Sequence, residues 1–308
     1  MRDPRRRAEV TGFSAEPVQW KPGEETVFVV TMPDLVLESR SVRLGDNVLL
    51  HRLNMRDGRR IFGPVSPLKM LRDSFAVTVR EQDRSWGEVV GRAHEKLGRV
   101  PTALRLLKPG GPGLAEGAAY QAGVRESLSQ FNLSDMNEPL SLTLFSRSRH
   151  SLRRPEVSKF KKLYDGLSRP NASKGRARVA ISRFNSAHGR SADEDRFIDT
   201  WIALEALFSP TDKQEVRYRV ALRATHFIAK WAEEREEIYR TLLSSYDLRS
   251  QVVHGSKLTI RRPKNLNLSG QETLSRTQDY LRRALLKVVQ AQEPLEELAL
   301  DMAIARGN

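Results

Sequence analysis

The sequence predicts an α+β protein, with a β-containing N-terminal domain over residues 1–150 and an all-α domain over residues 151–308. Three observations point there. Short β-type runs recur between turn residues before residue 150; apolar residues take up helical spacing from residue 156 onward; proline and glycine punctuate the second half at helix-length intervals. With 308 residues, 39% hydrophobic and 29% charged, the chain is long enough for two cores and has the make-up of a folded protein.

Taken in order, the strand candidates are TVFVV (26–30), DLVLE (34–38), NVLLHRL (47–53), FAVTVR (75–80) and LSLTLF (140–145). One helix is expected from Ser85 to about Leu97, where Ser85 can cap it, Glu88 stands three residues on and Gly98 can end it. The segment LKPGGPG (107–113) reads as a rigid loop. Its glycines invite comparison with a phosphate cradle, but no Lys-Ser/Thr follows and no strand–loop–helix frame surrounds it. Helices are then expected near 156–168, 175–188, 192–209, 213–232, 234–254 and 271–290, with a short one near 294–305. Pro155, Pro170, Pro210, Pro294, Gly189 and Gly255 punctuate them, and antiparallel helices on short loops imply a bundle.

No apolar run approaches the roughly 20 residues of a membrane-spanning helix. The start, MRDPRRRAEV, is basic but lacks the apolar stretch of a secretory signal. The absence of cysteine removes disulfides and thiolate metal sites and suits a reducing cytoplasm. A net charge of +14, shared evenly between the halves, favours polyanionic partners such as nucleic acid or an acidic membrane face. One basic stretch holds Arg147, Arg149, Arg153, Arg154, Lys159, Lys161 and Lys162, broken only by Glu156; a second holds Lys257, Arg261, Arg262 and Lys264.

Two of the expected helices carry unusual residues. The helix from Ser191 opens with Asp193, Glu194 and Asp195, best read as a Ser cap followed by acids at the positive helix end, not as a metal site. Its middle, WIALEALF (201–208), is apolar almost all round except for Glu205. Such a carboxylate must find a cation or donor, or else stay protonated. The expected partner is Arg223 on the next helix; the alternative is a functional Arg or His on the helix after that. That later helix carries an apolar stripe of Ile238, Leu242, Tyr246 and Val253, with Arg249 inside it. Ser250 and His254 lie one turn apart on a neighbouring face, and Gly255 is a natural helix-ending residue.

The residue types suggest a chemistry. Arg presents a planar fork of donors matched to phosphate oxygens, and His titrates near neutrality and can move a proton. On RNA such a pair activates the ribose 2′-OH and stabilises charge building on the phosphate, with no metal or other cofactor expected. The six His are scattered and show no ligand spacing such as HExxH. Spacing alone is a weak signal, since Arg183 and His188 show the same Arg-x4-His interval, also ending at a glycine. Five residues along a helix turn about 500°, so the two side chains of one pair point about 140° apart. Either the helix breaks before His254, or two copies of the pair meet across a symmetric dimer.

The string YDLRSQVVHG (246–255) resembles the Arg-x4–6-His signature of HEPN domains. With RFNSA (183–187), DRFIDTWIALEALFS (195–209) and VRYRVALRA (216–224), it is similar to the Apea-like HEPN branch over roughly residues 155–260. The resemblance implies a helical bundle that dimerises so that two Arg-His pairs face one cleft. Many such domains are metal-independent endoribonucleases of toxin-like or anti-phage systems; others are non-catalytic modules that bind RNA, a nucleotide or a protein partner. By position Arg249 and His254 match the signature pair, and Ser250 stands where many members carry Asn, Asp or His. Glu205 matches the Glu of the family's Leu-Glu-x-Leu segment. The resemblance thus makes Arg249, His254 and Ser250 the expected catalytic set, supported by Glu205 and Tyr246. Lys257, Arg261, Arg262 and Lys264 become an RNA-backbone track, and the expected partners are RNA, a second copy of the chain and a protein or phage-derived trigger. In that setting Arg183 reads as a helix-face residue and Phe184 as core.

Overall fold

The computed structural model describes residues 17, 19–45, 47–62, 74–122, 127–132, 150–212, 214–258, 268–291 and 295–305. The chain is α+β and forms two compact units, Met1–Tyr164 and Asp165–Asn308. The division lies beyond the expected boundary at 150/151 because the segment after residue 150 is tied to the first unit. His150–Leu152 pairs as a strand with Leu35–Leu37, and Lys108 Nζ donates to Glu156 at 2.8 Å.

The first unit is built on an antiparallel sheet. Its strands are β1 (Thr26–Met32), β3 (Ser41–Leu44), β4 (Val48–Arg52), β5 (Phe75–Glu81), β6 (Glu116–Gln121) and β7 (Ser129–Asn132), in the order β3-β4-β5-β1-β6-β7. The short β2 (Leu35–Leu37) and β8 (His150–Leu152) form a separate parallel pair. The central strand β1 is buried along its whole length, which explains why TVFVVTM is apolar without alternation. Val27 and Val29 join Leu53, Ile61, Ala76 and Ala118 in one cluster, with Ile61 supplied by helix α1 (Met55–Phe62). Phe28 stacks on Trp86 at the start of helix α2 (Trp86–Leu107), with ring centroids 6.2 Å apart. Residues of opposite parity on β1 thus meet different helices.

Four of the five expected strands overlap β1, β2, β4 and β5; LSLTLF (140–145) lies outside the described residues. Helix α2 departs from expectation. It runs through Gly98 and Pro101 to Leu107, and Ser85 stands at its N-cap without a side-chain cap bond. The buried row Val89, Val90, Ala93, Leu97, Val100 and Leu104 continues past Gly98 and packs towards β5, so burial overrides the local stop signal.

Helix α3 (Val157–Gly166) spans the division. The second unit then contains α4 (Pro170–Ser173), α5 (Gly175–Gly189), α6 (Asp193–Phe208), α7 (Val216–Ile228), α8 (Ala232–Val253), α9 (Gly270–Gln290) and α10 (Glu297–Ala305). These match the expected helices closely, with the one-turn α4 as the addition. Helix α6 is the hub and packs against α5, α7, α8 and α9. Its Trp201 is fully buried, donates to Ser245 Oγ at 2.9 Å, and Ser245 in turn hydrogen-bonds Thr277 on α9 at 2.9 Å. Three helices are thereby joined through one satisfied polar chain in the core. Among the described residues no helix is long and apolar enough to cross a membrane.

Candidate functional site around Arg249

The carboxylate of Glu205 on α6 meets the guanidinium of Arg249 on α8 at 3.5 Å. The partner expected first, Arg223, is committed elsewhere. It is 1% exposed and donates from Nε to Asp301 at 2.7 Å, from Nη2 to Glu297 at 2.8 Å and from Nη1 to the Phe208 carbonyl at 3.2 Å. Arg223 faces α10 because the last helix brings two carboxylates to it. Glu205, one turn earlier on α6, is left to Arg249.

The Glu205–Arg249 contact is an ion pair without a hydrogen bond, and the two side chains keep 23% and 26% of their surfaces exposed. Burial pushes the Glu205 carboxyl above its ordinary range, with Arg249 pulling the other way. Desolvation outweighs the attraction, so this pair is not a stabilising lock. Arg249 Nε is buried and has no hydrogen-bond partner, while the guanidinium carbon lies 5.7 Å from the centre of the Tyr246 ring. Tyr246 is itself held edge-on against Trp201, with centroids 5.1 Å apart. The core thus fixes the tyrosine, the tyrosine and Glu205 fix the guanidinium, and the donor fork is left with bonding capacity for an anion.

The apolar stripe is rotated from its expected position. The buried face of α8 is Ile238, Thr241, Leu242, Ser245, Leu248 and Val252, whereas Val253 is 52% exposed. Arg249 therefore borders the packed face instead of lying inside it, which is how a charged group keeps access to solvent. Helix α8 ends at Val253, and His254 is its C-cap with φ −87° and ψ 20°. Gly255 N–H donates to the Val252 carbonyl at 2.9 Å and Ser256 N–H to that of Gln251 at 3.0 Å, with Gly255 at φ +89°. This pair of bonds is the Schellman ending that needs a left-handed residue after the cap. His254 leaves the helix at the first residue that could escape the 140° divergence.

The His254 ring is exposed, and among the described residues it makes no hydrogen bond or ion pair. Ser250 is exposed as well, and its carbonyl accepts the His254 N–H at 3.2 Å. The structure therefore brings Arg249, Glu205 and Tyr246 together, and sets Ser250 and His254 beside them on the solvent side of the helix end. Lys257 is exposed in the following loop, which returns to the core at Leu258, whose N–H donates to Glu194 Oε1 at 2.9 Å. Arg261, Arg262 and Lys264 lie outside the described residues.

The acids opening α6 are structural. Ala192 occupies the N-cap with no side-chain cap bond, so the expected Ser191 cap is not made. Asp193 pairs with Arg196 at 2.9 Å, and Glu194 serves the Leu258 backbone. The twin pair resolves in the same way. Buried Asp199 accepts from Arg183 at 3.0 Å and from Arg190 at 2.9 Å, while His188 Nδ1 lies 2.8 Å from the Phe184 carbonyl. Phe184 is core, as expected. Two residues beside the site were not signalled by sequence. Tyr218 and Glu215, at the start of α7, line an open cleft together with Tyr246. The string VRYRVALRA does carry Tyr218, but nothing in its spacing sets it apart from a core tyrosine.

The chain matches no protein-family model, no curated protein and no solved structure.

Proposed function

We propose that this protein is a metal-independent endoribonuclease of the HEPN type, acting on RNA as a homodimer through its helical domain in a cytoplasmic, toxin-like or anti-phage setting. The observation that carries the reading is Arg249: a guanidinium held by Glu205 and Tyr246 at the edge of a packed helix, with 26% of its side chain open to solvent. The accessible N–H groups of that guanidinium fit the non-bridging oxygens of a phosphodiester. His254, the first non-helical residue of the same segment, supplies an imidazole that can give or take a proton.

In this reading His254 takes the proton of the ribose 2′-OH, and the 2′-oxygen attacks the adjacent phosphorus. Arg249 stabilises the charge that builds on the non-bridging oxygens. The P–O5′ bond breaks and the leaving oxygen takes up a proton from the second copy's His254, giving a 2′,3′-cyclic phosphate and a 5′-hydroxyl. Ser250 donates a hydrogen bond to the reacting phosphate, and Lys257 with Arg261, Arg262 and Lys264 follows the RNA backbone. A protein or phage-derived trigger would act by exposing this site.

The test is incubation of purified protein with total RNA in EDTA. Wild type is expected to cut and His254→Ala to lose cutting while keeping its melting temperature, since the exposed ring makes no contact that supports the fold. A second reading is a non-catalytic dimeric module that binds RNA, a nucleotide or a protein, and Ser250 favours it by standing where the family signature has a stronger polar group. Intact RNA in every arm, with RNA retention falling steeply as salt rises, establishes that second reading instead.

A further inference from the structure

We propose that the cleft beside Arg249 is a nucleobase pocket that selects guanine next to the reacting phosphate; this deepens the ribonuclease reading and rests on it. The cleft has a volume of about 650 Å³ and is lined by Glu215, Val216, Arg217, Tyr218 and Tyr246. That size lies within the range of sites for small ligands. Tyr246 belongs to both places: it lines the cleft and also lies under the Arg249 guanidinium. A nucleotide whose phosphate engages Arg249 therefore has its base beside this cleft.

The lining fits a base better than a phosphate. Tyr218 is 49% exposed, which is unusual for so large a ring, and its edge-to-face contact with Tyr239 (centroids 6.2 Å, planes at 87°) steadies it without covering it. A steadied and half-exposed aromatic ring is a stacking platform for a base. Among the described residues the one cation in the lining, Arg217, is already paired with Asp247 at 2.7 Å. Glu215 carries the opposite charge, and among the described residues its carboxylate is in no ion pair. Its backbone sits at φ +49°, the one non-glycine in the left-handed region among the described residues. Such a conformation is held by its surroundings and sets where the carboxylate starts from. A free carboxylate repels phosphate and accepts from N–H groups. Guanine presents two such donors side by side, N1–H and the N2 amino group, and so matches both carboxylate oxygens at once.

The probe is a labelled 2′-O-methyl RNA decamer, which cannot be cleaved because its 2′-oxygens are blocked, read by fluorescence anisotropy with the full-length protein. One decamer carries a single central guanine in an adenine background; a second replaces it with inosine, which lacks the N2 amino group. Wild type is expected to bind the guanine decamer about tenfold more tightly, the loss of one charge-assisted hydrogen bond. Glu215→Gln is expected to erase that preference. Tyr218→Ala should weaken both decamers about tenfold, while Tyr218→Phe keeps the ring and binds like wild type. Equal binding of the two decamers by wild type, or full affinity in Tyr218→Ala, overturns the pocket. Since no cleavage is read, such a result with Arg249→Ala still weakening both decamers removes the pocket and leaves the phosphate site standing.

Discussion

Replacing Glu205 with Gln separates a functional ion pair from a structural one. At 3.5 Å and an effective dielectric of about 20, the Glu205–Arg249 attraction is about 5 kcal/mol before desolvation. Burial nevertheless raises the Glu205 carboxyl, so the cost of removing the charge from water exceeds that gain. The sign for stability follows. An acid whose folded value lies above its unfolded value binds more protons in the folded state within that window, and stability falls as pH rises through it. Above the window Glu205 is a net burden. Glu205→Gln is therefore expected to leave the second unit equally stable or up to about 1 kcal/mol more stable at pH 7.5, a rise of about 3 °C in melting temperature. The difference should shrink as pH falls through the carboxylate range and the Glu205 carboxyl takes up its proton. Activity should move the other way, with RNA cleavage falling about ten- to a hundredfold as the guanidinium loses its anchor. Melting by circular dichroism at both pH values, beside cleavage rates, checks the argument. A fall of 5 °C or more at pH 7.5 would show that the pair stabilises the bundle, and the functional account of Glu205 would be refuted.

Arg223→Ala should behave oppositely, costing about 3 kcal/mol in urea unfolding, because it removes the buried cation that joins Glu297, Asp301 and the Phe208 carbonyl. Thr211 and Arg223 hold Glu297 down to about 2, so this network stabilises above the usual carboxylate range and weakens as pH falls towards 2; Arg223→Ala should flatten part of that dependence. In the first unit, burial followed by the nearby Lys108 pushes His150 down to about 4, so the ring is neutral when folded. The unfolded chain binds the proton first, and stability should be full above pH 6.5 and fall by about 3 kcal/mol as pH drops to 4. Denaturant titrations of wild type and His150→Leu across that range test this, and an equal slope in both would count against it. Gly270→Ala should destabilise the start of α9, since its added carbon would lie 1.9 Å from the Leu258 carbonyl oxygen; a melting temperature equal to wild type would contradict that close approach.

The helical half was legible because its signals are local. Prolines and glycines bound the helices, and the Gly255 ending forms within a few residues. The sheet half was less so. Strand β6, EGAAYQ, carries small residues where propensity looks for branched ones, and it is a strand because β1 offers it a buried edge on the side away from β5. Helix α2 overrides Gly98 and Pro101 for the same reason: apolar residues on both sides of them pack towards one sheet.

The site divides along the same line. By itself the sequence determined that Glu205 sits in apolar surroundings and must find a cation or donor or stay protonated, and that the helix ends beside His254; it set Arg249 inside an apolar stripe. Only the tertiary structure decided which cation Glu205 meets, because α10 supplies two carboxylates that claim Arg223. It also decided that Val252, not Val253, faces the core, which places Arg249 on the rim, and that Tyr218 shares a cleft with Tyr246. Helical periodicity sets the angle of a side chain about its own axis. Which neighbour stands at that angle depends on the packing of every helix at once.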